Sequence, residues 1–314
     1  MIKIGMIGMN EGNGHPYSYS AIFNGYDPVE LMKNCPFELI KEYLPRDHRN
    51  EVFINEAKVT HIWTQDIKIS KEISAVALIP NIVKNIEDLV DKVDAVILAR
   101  DDPWNHLEMA RPFFNKKIPI FIDKQLTSSK KDYFQLIEII GEDYPLMACS
   151  AIRYNKKIKE AKKNLNKNNV KSIHGAGRVS WMRYGHHLYE GIAVIWGTDV
   201  NWVRSLSEDN DHDIVQIKYK SGLNIILECV ENLHLPIQFT CFSENEPIYT
   251  FPFDDYFCSF REMLYDFVEM IKTKKNPIVM QEILTIAKII LAGDISKKKN
   301  GIRICPKTLE AWSG

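Results

Sequence analysis

Short apolar runs alternate with segments of helical periodicity through the first half of the chain, and this alternation most constrains the fold. Strand-like runs lie at residues 2–8, 59–64, 95–99, 119–122 and 146–148, with a weaker one at 74–79. Helical patterns occur between them at residues 85–93, 103–116 and 129–143. Nearly continuous apolar strands joined by helices are typical of a parallel sheet that is covered on both faces. We therefore predict an α/β fold with a doubly wound sheet in residues 1–149.

A glycine-rich loop follows the first apolar run. Doubly wound sheets bind ligands at the carboxyl ends of their strands, where helix N-terminal N–H groups can hold a pyrophosphate. The loop departs from the G-x-G-x-x-G pattern because asparagines replace two glycines, although asparagine tolerates left-handed backbone better than most residues. Asp66, just beyond the second run, is the candidate ribose ligand, and we interpret residues 27–58 as an insertion over this edge. The loop residues predicted to bind a dinucleotide are Gly8, Asn10, Gly12, Asn13 and Gly14.

Charged residues follow two later strands at the same predicted edge. Asp101 comes after the run at 95–99, and Asp123 and Lys124 come after the run at 119–122. Such charges either mark where a strand leaves the core or contact a ligand at the carboxyl ends of the strands. The pattern alone allows both interpretations.

A second domain, of the α+β type, is predicted for residues 150–314. Residues 213–230 alternate apolar and polar side chains around a turn at Ser221 and Gly222, which predicts a β-hairpin, and residues 235–253 predict another pair of strands. A mostly antiparallel sheet with one open face favours a homodimer or homotetramer formed through that face. Apolar stripes predict closing helices at about residues 260–271 and 280–292, packing back toward the first domain.

Composition limits the classes of partner. The 314 residues carry a formal net charge of −1, so we expect no binding to nucleic acid or to anionic membranes. The six cysteines include no C-x-x-C pair, which predicts reduced thiols, no disulfide framework and no metal site. The N-terminal sequence lacks the pattern of a secretion signal, and no apolar run approaches membrane-spanning length. Together these features predict a cytoplasmic protein.

A group of polar and aromatic side chains lies at residues 180–200. One interpretation is a polar entry to an apolar helix, with an acid near the helix N-terminus. The other is a substrate site in which an imidazole acts as a base, because histidine titrates near neutral pH. If the segment is extended, only one of two adjacent histidines can face such a site. The candidate residues are Trp181, Arg183, Tyr184, His186, His187 and Glu190.

Two motifs and a pair of predicted helices form a combination that can be compared with known families. Residues 92–129 combine a strand, a loop that contains His106, a helix, a second strand and the triplet Asp123, Lys124, Gln125. Residues 183–190 place Arg183, a glycine, a histidine and an acid at successive spacings of two, two and three residues. Residues 259–304 add two amphipathic helices.

Together these features resemble the Gfo/Idh/MocA family of oxidoreductases (glucose–fructose oxidoreductase, inositol dehydrogenase and rhizopine-catabolism proteins) over nearly the whole length. In the family's E-K-P motif the acid is shortened here and the proline is lost, while Lys124 is kept. In the family's D-x-G-x-H-x-x-D motif Gly185 and His187 match, Glu190 is a conservative change, and Arg183 replaces an acid with a base. The resemblance implies a Rossmann-type nucleotide domain followed by a domain with an open-faced sheet.

The resemblance also implies a dehydrogenase that uses NAD or NADP to move hydride to or from a hydroxyl-bearing carbon of a sugar, cyclitol or nucleotide sugar. It implies Lys124 and His187 as the catalytic residues, with His187 preferred to His186 as the base and Lys124 stabilising charge on the oxygen. Arg183 suits an anionic substrate. The other implied substrate ligands are Trp181, Tyr184, His186 and Glu190, and the other implied cofactor ligands are Asp101, His106 and Asp123.

Two further functions are compatible with the sequence. The altered glycine pattern, the lost proline and Arg183 favour a catalytically silent sensor that binds a dinucleotide or a sugar with the same fold. Retention of both Lys124 and His187 favours the enzyme, because a binding module has no need of that pair. A lyase or hydrolase that cycles NAD internally is a third alternative.

Overall fold

The computed structural model describes residues 1–47, 54–141, 143–209, 211–231, 236–245 and 247–311. The chain divides into two compact units, each with one six-stranded sheet. Unit 1 comprises Met1–Leu126, Phe134–Ala148 and Tyr256–Val279. Unit 2 comprises Thr127–Tyr133, Cys149–Asp255 and Met280–Gly314.

Unit 1 is built on a parallel sheet. Its strands are β1 (Ile2–Ile7), β2 (Ala57–Trp63), β3 (Asn81–Ile82), β4 (Ala95–Leu98), β5 (Ile120–Asp123) and β6 (Leu146–Cys149). They lie in the order β3-β2-β1-β4-β5-β6, so the order reverses between β1 and β4. Strands β4, β5 and β6 are buried at every position, as expected for a sheet covered on both faces. The predicted doubly wound α/β fold is confirmed.

Six helices accompany these strands in the sequence: α1 (His15–Asn24), α2 (Pro28–Asn34), α3 (Glu38–Asp47), α4 (Ile67–Val76), α5 (His106–Asn115) and α6 (Lys130–Ile140). The strand predicted at residues 74–79 is wrong, because α4 extends to Val76. Its Ser70, Ile73 and Val76 are buried at three-residue spacing, which is a helical stripe. The helix predicted at residues 85–93 is reduced to a 3-10 turn at Ile86–Leu89.

Unit 2 is built on a mixed sheet that is mostly antiparallel. Its strands are β7 (Val170–Arg178), β8 (Val200–Ser205), β9 (His212–Tyr219), β10 (Asn224–Val230), β11 (Gln238–Ser243) and β12 (Tyr249–Pro252), in the order β12-β11-β7-β10-β9-β8. Only the β10–β7 pair is parallel among the described pairings. Side chains of β9 and β10 alternate between buried and half-exposed, so one face lies on the core. The predicted open-faced sheet and its β9–β10 hairpin are confirmed.

Helices α7 (Lys156–Asn164) and α8 (His186–Trp196) belong to unit 2, and a π-helical turn at Trp181–Gly185 leads directly into α8. The extended conformation considered for this segment is therefore wrong. Helix α9 (Tyr256–Thr273) belongs to unit 1, where it contacts α1 and α3, and α10 (Met280–Lys298) belongs to unit 2. Among the described residues, none of the helices combines the length and apolarity needed to cross a membrane.

Candidate functional site

The loop between β1 and α1 depends on its glycines for different reasons. A Cβ at Gly8 would lie 2.4 Å from Pro16 Cγ, and one at Gly14 would lie 2.5 Å from Ile40 Cδ1. At both positions a neighbouring side chain packs directly against the glycine backbone and leaves no room for a Cβ. Gly12 has a φ of 81°, which a side chain rarely tolerates. The glycines therefore fix the turn that carries the chain from β1 into α1.

The two asparagines in this loop tie it to the ends of neighbouring strands. Asn10 Oδ1 accepts a hydrogen bond from Asp101 N at 3.0 Å, and its amide nitrogen donates to the Asp101 carboxylate. Asn13 Nδ2 donates to Asp123 Oδ2 at 3.2 Å, and its Oδ1 accepts from His15 N at 2.9 Å. The asparagine side chains thus make the contacts that shape the loop where the glycine pattern is lost.

Several backbone N–H groups of this loop have no acceptor. Within the described part of the chain, this holds for Asn10, Glu11, Gly12 and Gly14. Unpaired N–H groups at the start of a helix form a site for an anion such as a pyrophosphate. The residues that the loop presents therefore fit a dinucleotide.

Asp123 and Lys124 form a buried charged group at the end of β5. Lys124 Nζ lies 3.6 Å from Asp101 Oδ2, and both side chains are almost completely buried. Asp123 Oδ1 accepts from Lys124 N at 2.9 Å. Burial raises the pKa of Asp123, but the charges of His15 and Lys124 outweigh this, so its pKa lies below the ordinary value. The structure thus brings together Asn10, Asn13, Asp101, Asp123 and Lys124 in unit 1.

His15 belongs to the same group, and the sequence analysis missed it. Its Nδ1 lies 2.5 Å from Asp123 Oδ2. Its ring stacks on Tyr19 at 4.6 Å and meets the edge of Phe260 at 5.4 Å. The available signal was its place two residues after Asn13 in the glycine-rich loop, in the first turn of α1.

Two predicted cofactor ligands have other contacts in the structure. His106 is completely buried, with Nε2 3.1 Å from Arg100 O and Nδ1 3.4 Å from Leu126 O. Burial lowers the pKa of His106, and its ring lies between backbone carbonyl oxygens of two loops. Asp66 is exposed and caps α4 by accepting from Lys68 N at 2.8 Å. Both side chains thus have contacts within unit 1, His106 with the carbonyl oxygens of two loops and Asp66 with the first turn of α4.

In unit 2, Glu190 is the centre of a buried polar network. Its Oε2 accepts from Ser150 N at 2.5 Å and lies 2.9 Å from His186 Nε2, while its Oε1 accepts from Arg153 Nε at 2.7 Å. Arg153 Nη2 also donates to Glu282. Burial raises the pKa of Glu190, but the Arg153 charge and the His186 hydrogen bond lower it below the ordinary value. Glu190 is fully buried, and both of its oxygens are engaged by these neighbours.

The two adjacent histidines differ sharply in environment. His186 is 2% exposed and is engaged by Glu190. His187 is half-buried, and its Nδ1 lies 2.5 Å from Ser150 Oγ, which also accepts from Ile152 N at 3.2 Å. Ser150 directly follows β6, at the strand end where ligand-binding residues are expected, so the sequence did contain a signal for it. Helical geometry, and not strand alternation, separates the two imidazoles.

The remaining predicted substrate ligands are divided between surface and core. Tyr184 is half-buried, with its ring 5.1 Å from that of His187 and its hydroxyl accepting from Arg178 Nε at 2.9 Å. Arg183 is half-buried in the π-helical turn. Trp181 is 3% exposed, and its indole N–H donates to Ile290 O at 2.9 Å. Trp181 is therefore a core residue of unit 2.

No group of three or more histidine, cysteine, aspartate or glutamate side chains within the described ranges is arranged to hold a metal ion. The cysteines that the structure describes are all free thiols, and four of them are buried.

No protein-family model matches the chain, and no curated protein matches it in sequence. Solved structures match it over almost its full length. A probable dehydrogenase from Thermotoga maritima is 15% identical with a TM-score of 0.70, covering 98% of this chain and 100% of that chain. A myo-inositol 2-dehydrogenase from Lactobacillus plantarum is 13% identical with a TM-score of 0.71, covering 97% and 99%. A scyllo-inositol dehydrogenase from Lactobacillus casei, solved with NAD(H) and scyllo-inositol, is 12% identical with a TM-score of 0.71, covering 98% and 99%. At these identities the likeness establishes the fold.

Proposed function

We propose that the protein is an NAD(P)-dependent oxidoreductase that transfers hydride between a nicotinamide and a carbon that bears a hydroxyl group. The observation that carries the proposal is the buried Lys124 ammonium, 3.6 Å from Asp101 at the carboxyl edge of the unit 1 sheet. Burying two charges costs more than burying apolar side chains of similar size, so a purely structural role explains the pair poorly. The inositol dehydrogenases with this fold support the same reaction class.

The cofactor would be held by the loop from Gly8 to Gly14, whose unpaired N–H groups suit the pyrophosphate. When bound, the dinucleotide supplies C4 of the nicotinamide as the hydride acceptor or donor. Asp123 and Asp101 fix the loop through Asn13 and Asn10, and so determine where the anion is held.

His187 would act as the base toward the substrate hydroxyl. If Nδ1 carries the hydrogen and donates it to Ser150 Oγ, the lone pair lies on Nε2, where it can accept the hydroxyl proton as hydride leaves the carbon. Lys124 would stabilise the negative charge that develops on the oxygen. His186 is committed to Glu190, which favours His187 as the base.

The substrate class that we propose is a small polyhydroxylated compound related to the sugars and cyclitols. Arg183 and Tyr184 are the half-buried candidates for contact with it. A guanidinium recognises carboxylate or phosphate in a bidentate manner, so an acidic sugar or a sugar phosphate suits Arg183 best.

A substrate panel with matched variants tests this function. We expect dinucleotide-dependent turnover of at least one polyol, sugar acid or sugar phosphate by the wild-type chain, followed through nicotinamide absorbance. Lys124→Ala and His187→Ala should lower kcat by about 10²- to 10⁴-fold, the usual contribution of acid–base groups. Lys131→Ala and His174→Ala, at exposed positions, are the controls and should leave kcat unchanged. Full activity in either site variant would contradict the assigned roles.

A catalytically silent sensor is the second candidate. Asn10, Asn13 and Arg183 favour it, because each departs from the residue that the dehydrogenase pattern places there. It predicts saturable binding of a dinucleotide or sugar with no turnover of any compound in the panel. Turnover that depends on Lys124 would exclude it.

A further inference from the structure

The residues after β2 bear on which dinucleotide the proposed cofactor site takes. In folds of this kind an acid at the end of the second strand accepts hydrogen bonds from the ribose hydroxyls of NAD, whereas a nearby arginine accommodates the 2′-phosphate of NADP. The inference below rests on the proposed function and specifies the cofactor.

Neither oxygen-bearing side chain near this strand end is placed like a ribose-binding acid. Thr64 is 5% exposed, and its Oγ1 lies 2.8 Å from Ser70 Oγ and donates to Asp66 O at 2.5 Å. Asp66 lies three residues beyond Trp63, the last residue of β2. Its carboxylate accepts from Lys68 N as the cap of α4. At the end of β2, where a carboxylate would favour NAD, the described residues therefore include no carboxylate that is placed to accept from a ribose hydroxyl.

The guanidinium of Arg100 lies beside the segment that follows β2. Arg100 Nη1 donates to Met9 O at 3.1 Å and to Gln65 Oε1 at 3.0 Å, so it links the glycine-rich loop to the segment after β2. Asp102 accepts from Arg100 Nε at 2.7 Å and from Nη2 at 2.5 Å. These contacts use four of the five N–H groups of the guanidinium.

Arg100 and Gln65 have hydrogen-bond donors that these contacts do not use. Within the described ranges, the second Nη2–H of Arg100 and the amide N–H groups of Gln65 have no acceptor. Arg100 is 6% exposed, so its spare N–H is held in a fixed direction, while Gln65 is exposed. In the first turn of α4, close to Gln65, the N–H of Lys68 is taken by Asp66, and the N–H of Ile67 adds a further donor. Hydrogen bonds from a charged donor to a phosphate are about twice as strong as neutral ones.

We propose that the site takes NADP(H) in preference to NAD(H), with Gln65 and Arg100 contacting the 2′-phosphate. The phosphate is an acceptor-rich anion and matches the donors that remain unused after β2. A ribose 2′-hydroxyl would find no carboxylate to donate to from the end of β2.

Binding measurements on the full chain test the preference without any need for turnover. Dissociation constants for NADPH and NADH are measured by energy transfer from tryptophan to the reduced nicotinamide. We expect NADPH to bind at least about 10-fold more tightly, and 2′,5′-ADP to compete better than 5′-AMP by a similar factor, since one well-placed charged contact has this size. Equal affinities, or tighter NADH binding, would overturn the preference and leave the proposed function standing. Absence of binding by every dinucleotide would overturn both.

A substitution of the exposed residue Gln65 tests its proposed contact with the 2′-phosphate. Gln65→Glu places a carboxylate where the 2′-phosphate would lie, and we expect it to weaken NADPH binding at least about 10-fold while NADH binding stays equal or improves. Gln281→Glu, at an exposed position at the start of α10, is the matched control and should change neither constant. An unchanged NADPH/NADH ratio in Gln65→Glu would exclude Gln65 from the site. Because Gln65 is exposed, the variant is expected to fold, and its NADH binding reports that it has.

Discussion

His15 is the clearest case in which one side chain sets the geometry of the proposed site. Asp123 is buried and ionised, and its carboxylate takes hydrogen bonds from Lys124 N, Asn13 Nδ2 and the His15 ring. The stacked Tyr19 and the edge of Phe260 hold that ring in place. We propose that His15 is a positioning residue, which acts on Lys124 through the contact of Asp123 with the Lys124 backbone N–H.

Two substitutions separate the hydrogen bond of His15 from its bulk. In His15→Asn, the side-chain amide can replace Nδ1 as the donor to Asp123, so we expect kcat within about 10-fold of the wild type. His15→Phe keeps a ring but leaves a buried carboxylate one donor short, which costs about 1–3 kcal/mol or more, so we expect kcat to fall by more than 10-fold.

The measurement is kcat and KM for the substrate together with the dinucleotide dissociation constant. A positioning role lowers kcat of His15→Phe more than it weakens dinucleotide binding, and His15→Asn rescues it. A kcat that is kept in His15→Phe and lost in His15→Asn would mean that His15 only fills space.

At the residue scale the sequence predicted the identity of several groups better than their roles. Lys124 and Asp123 lie at the predicted sheet edge because strand ends follow directly from the apolar runs. The separation of His186 from His187 depends on a buried glutamate four residues along a helix, and this was hidden because the segment could also be extended. His15 was missed because its partner lies 108 residues away in sequence.

At the scale of the elements, an ion pair between Glu190 and Arg153 connects α8 to the segment after β6. Glu190 on α8 binds Arg153 and the backbone of Ser150, and Arg153 in turn binds Glu282 on α10. Both Glu190 and Arg153 are largely buried, so neither charge can be left unpaired cheaply.

Removal of the Glu190 charge should destabilise the protein at neutral pH. We expect Glu190→Gln to cost about 3–5 kcal/mol, because it leaves Arg153 buried without its main partner. The control Glu282→Gln removes a more exposed carboxylate and should cost less. Urea unfolding at pH 7 measures the difference, and equal losses in the two variants would contradict the central place of Glu190.

The same interaction has a defined pH dependence. The pKa of Glu190 in the folded state lies below the ordinary value of 4.5, so the unfolded chain takes up the proton first as pH falls. The stabilisation is therefore complete above pH 4.5 and is lost as pH falls through the lowered folded-state pKa. Glu190→Gln should remove this part of the acid sensitivity, and an unchanged acid limb would contradict it.

Element prediction succeeded where burial alone decides the pattern. Strands β4, β5 and β6 are buried at every position and apolar except for Asp123 at the end of β5, and the sequence predicted all three. The segment 74–79 is similarly apolar, but its first residues belong to α4, which begins at the Asp66 cap and has a buried helical stripe. A short apolar run by itself does not distinguish a strand from a buried part of a helix.

At the scale of the whole molecule, the open face of the unit 2 sheet concerns assembly. Ile214, Ile226 and Val230 are half-exposed on β9 and β10 beside polar neighbours. We propose that this face joins copies of the chain into a homodimer or homotetramer, because an uncovered sheet face with apolar side chains favours association.

A charge on this face tests the assembly. Light scattering should give a mass of at least two chains for the wild type and of one chain for Ile226→Lys, because burying an unpaired ammonium in an interface is costly. Val279→Lys, at a position that is already 69% exposed in unit 1, is the control and should not change the mass. A monomeric wild type would end this proposal and leave the proposed chemistry untouched.

The overall architecture followed from the sequence because local periodicity specifies strands and helices, and the strand order of a doubly wound sheet is a common solution. Substrate identity did not follow from the sequence, since Arg183, the candidate for substrate contact in the proposed function, departs from the dehydrogenase pattern that the sequence resembles.

The origin of the hydrogen delivered to the nicotinamide tests the central claim most directly. The oxidised dinucleotide and a substrate found in the panel are reacted in D₂O, and the reduced cofactor is analysed by mass spectrometry. Direct transfer from the substrate carbon predicts protium at C4 of the reduced nicotinamide, with its formation slowed about 10²- to 10⁴-fold in Lys124→Ala. Deuterium at C4, or no reduced dinucleotide with any compound of the panel, would contradict the proposed hydride transfer.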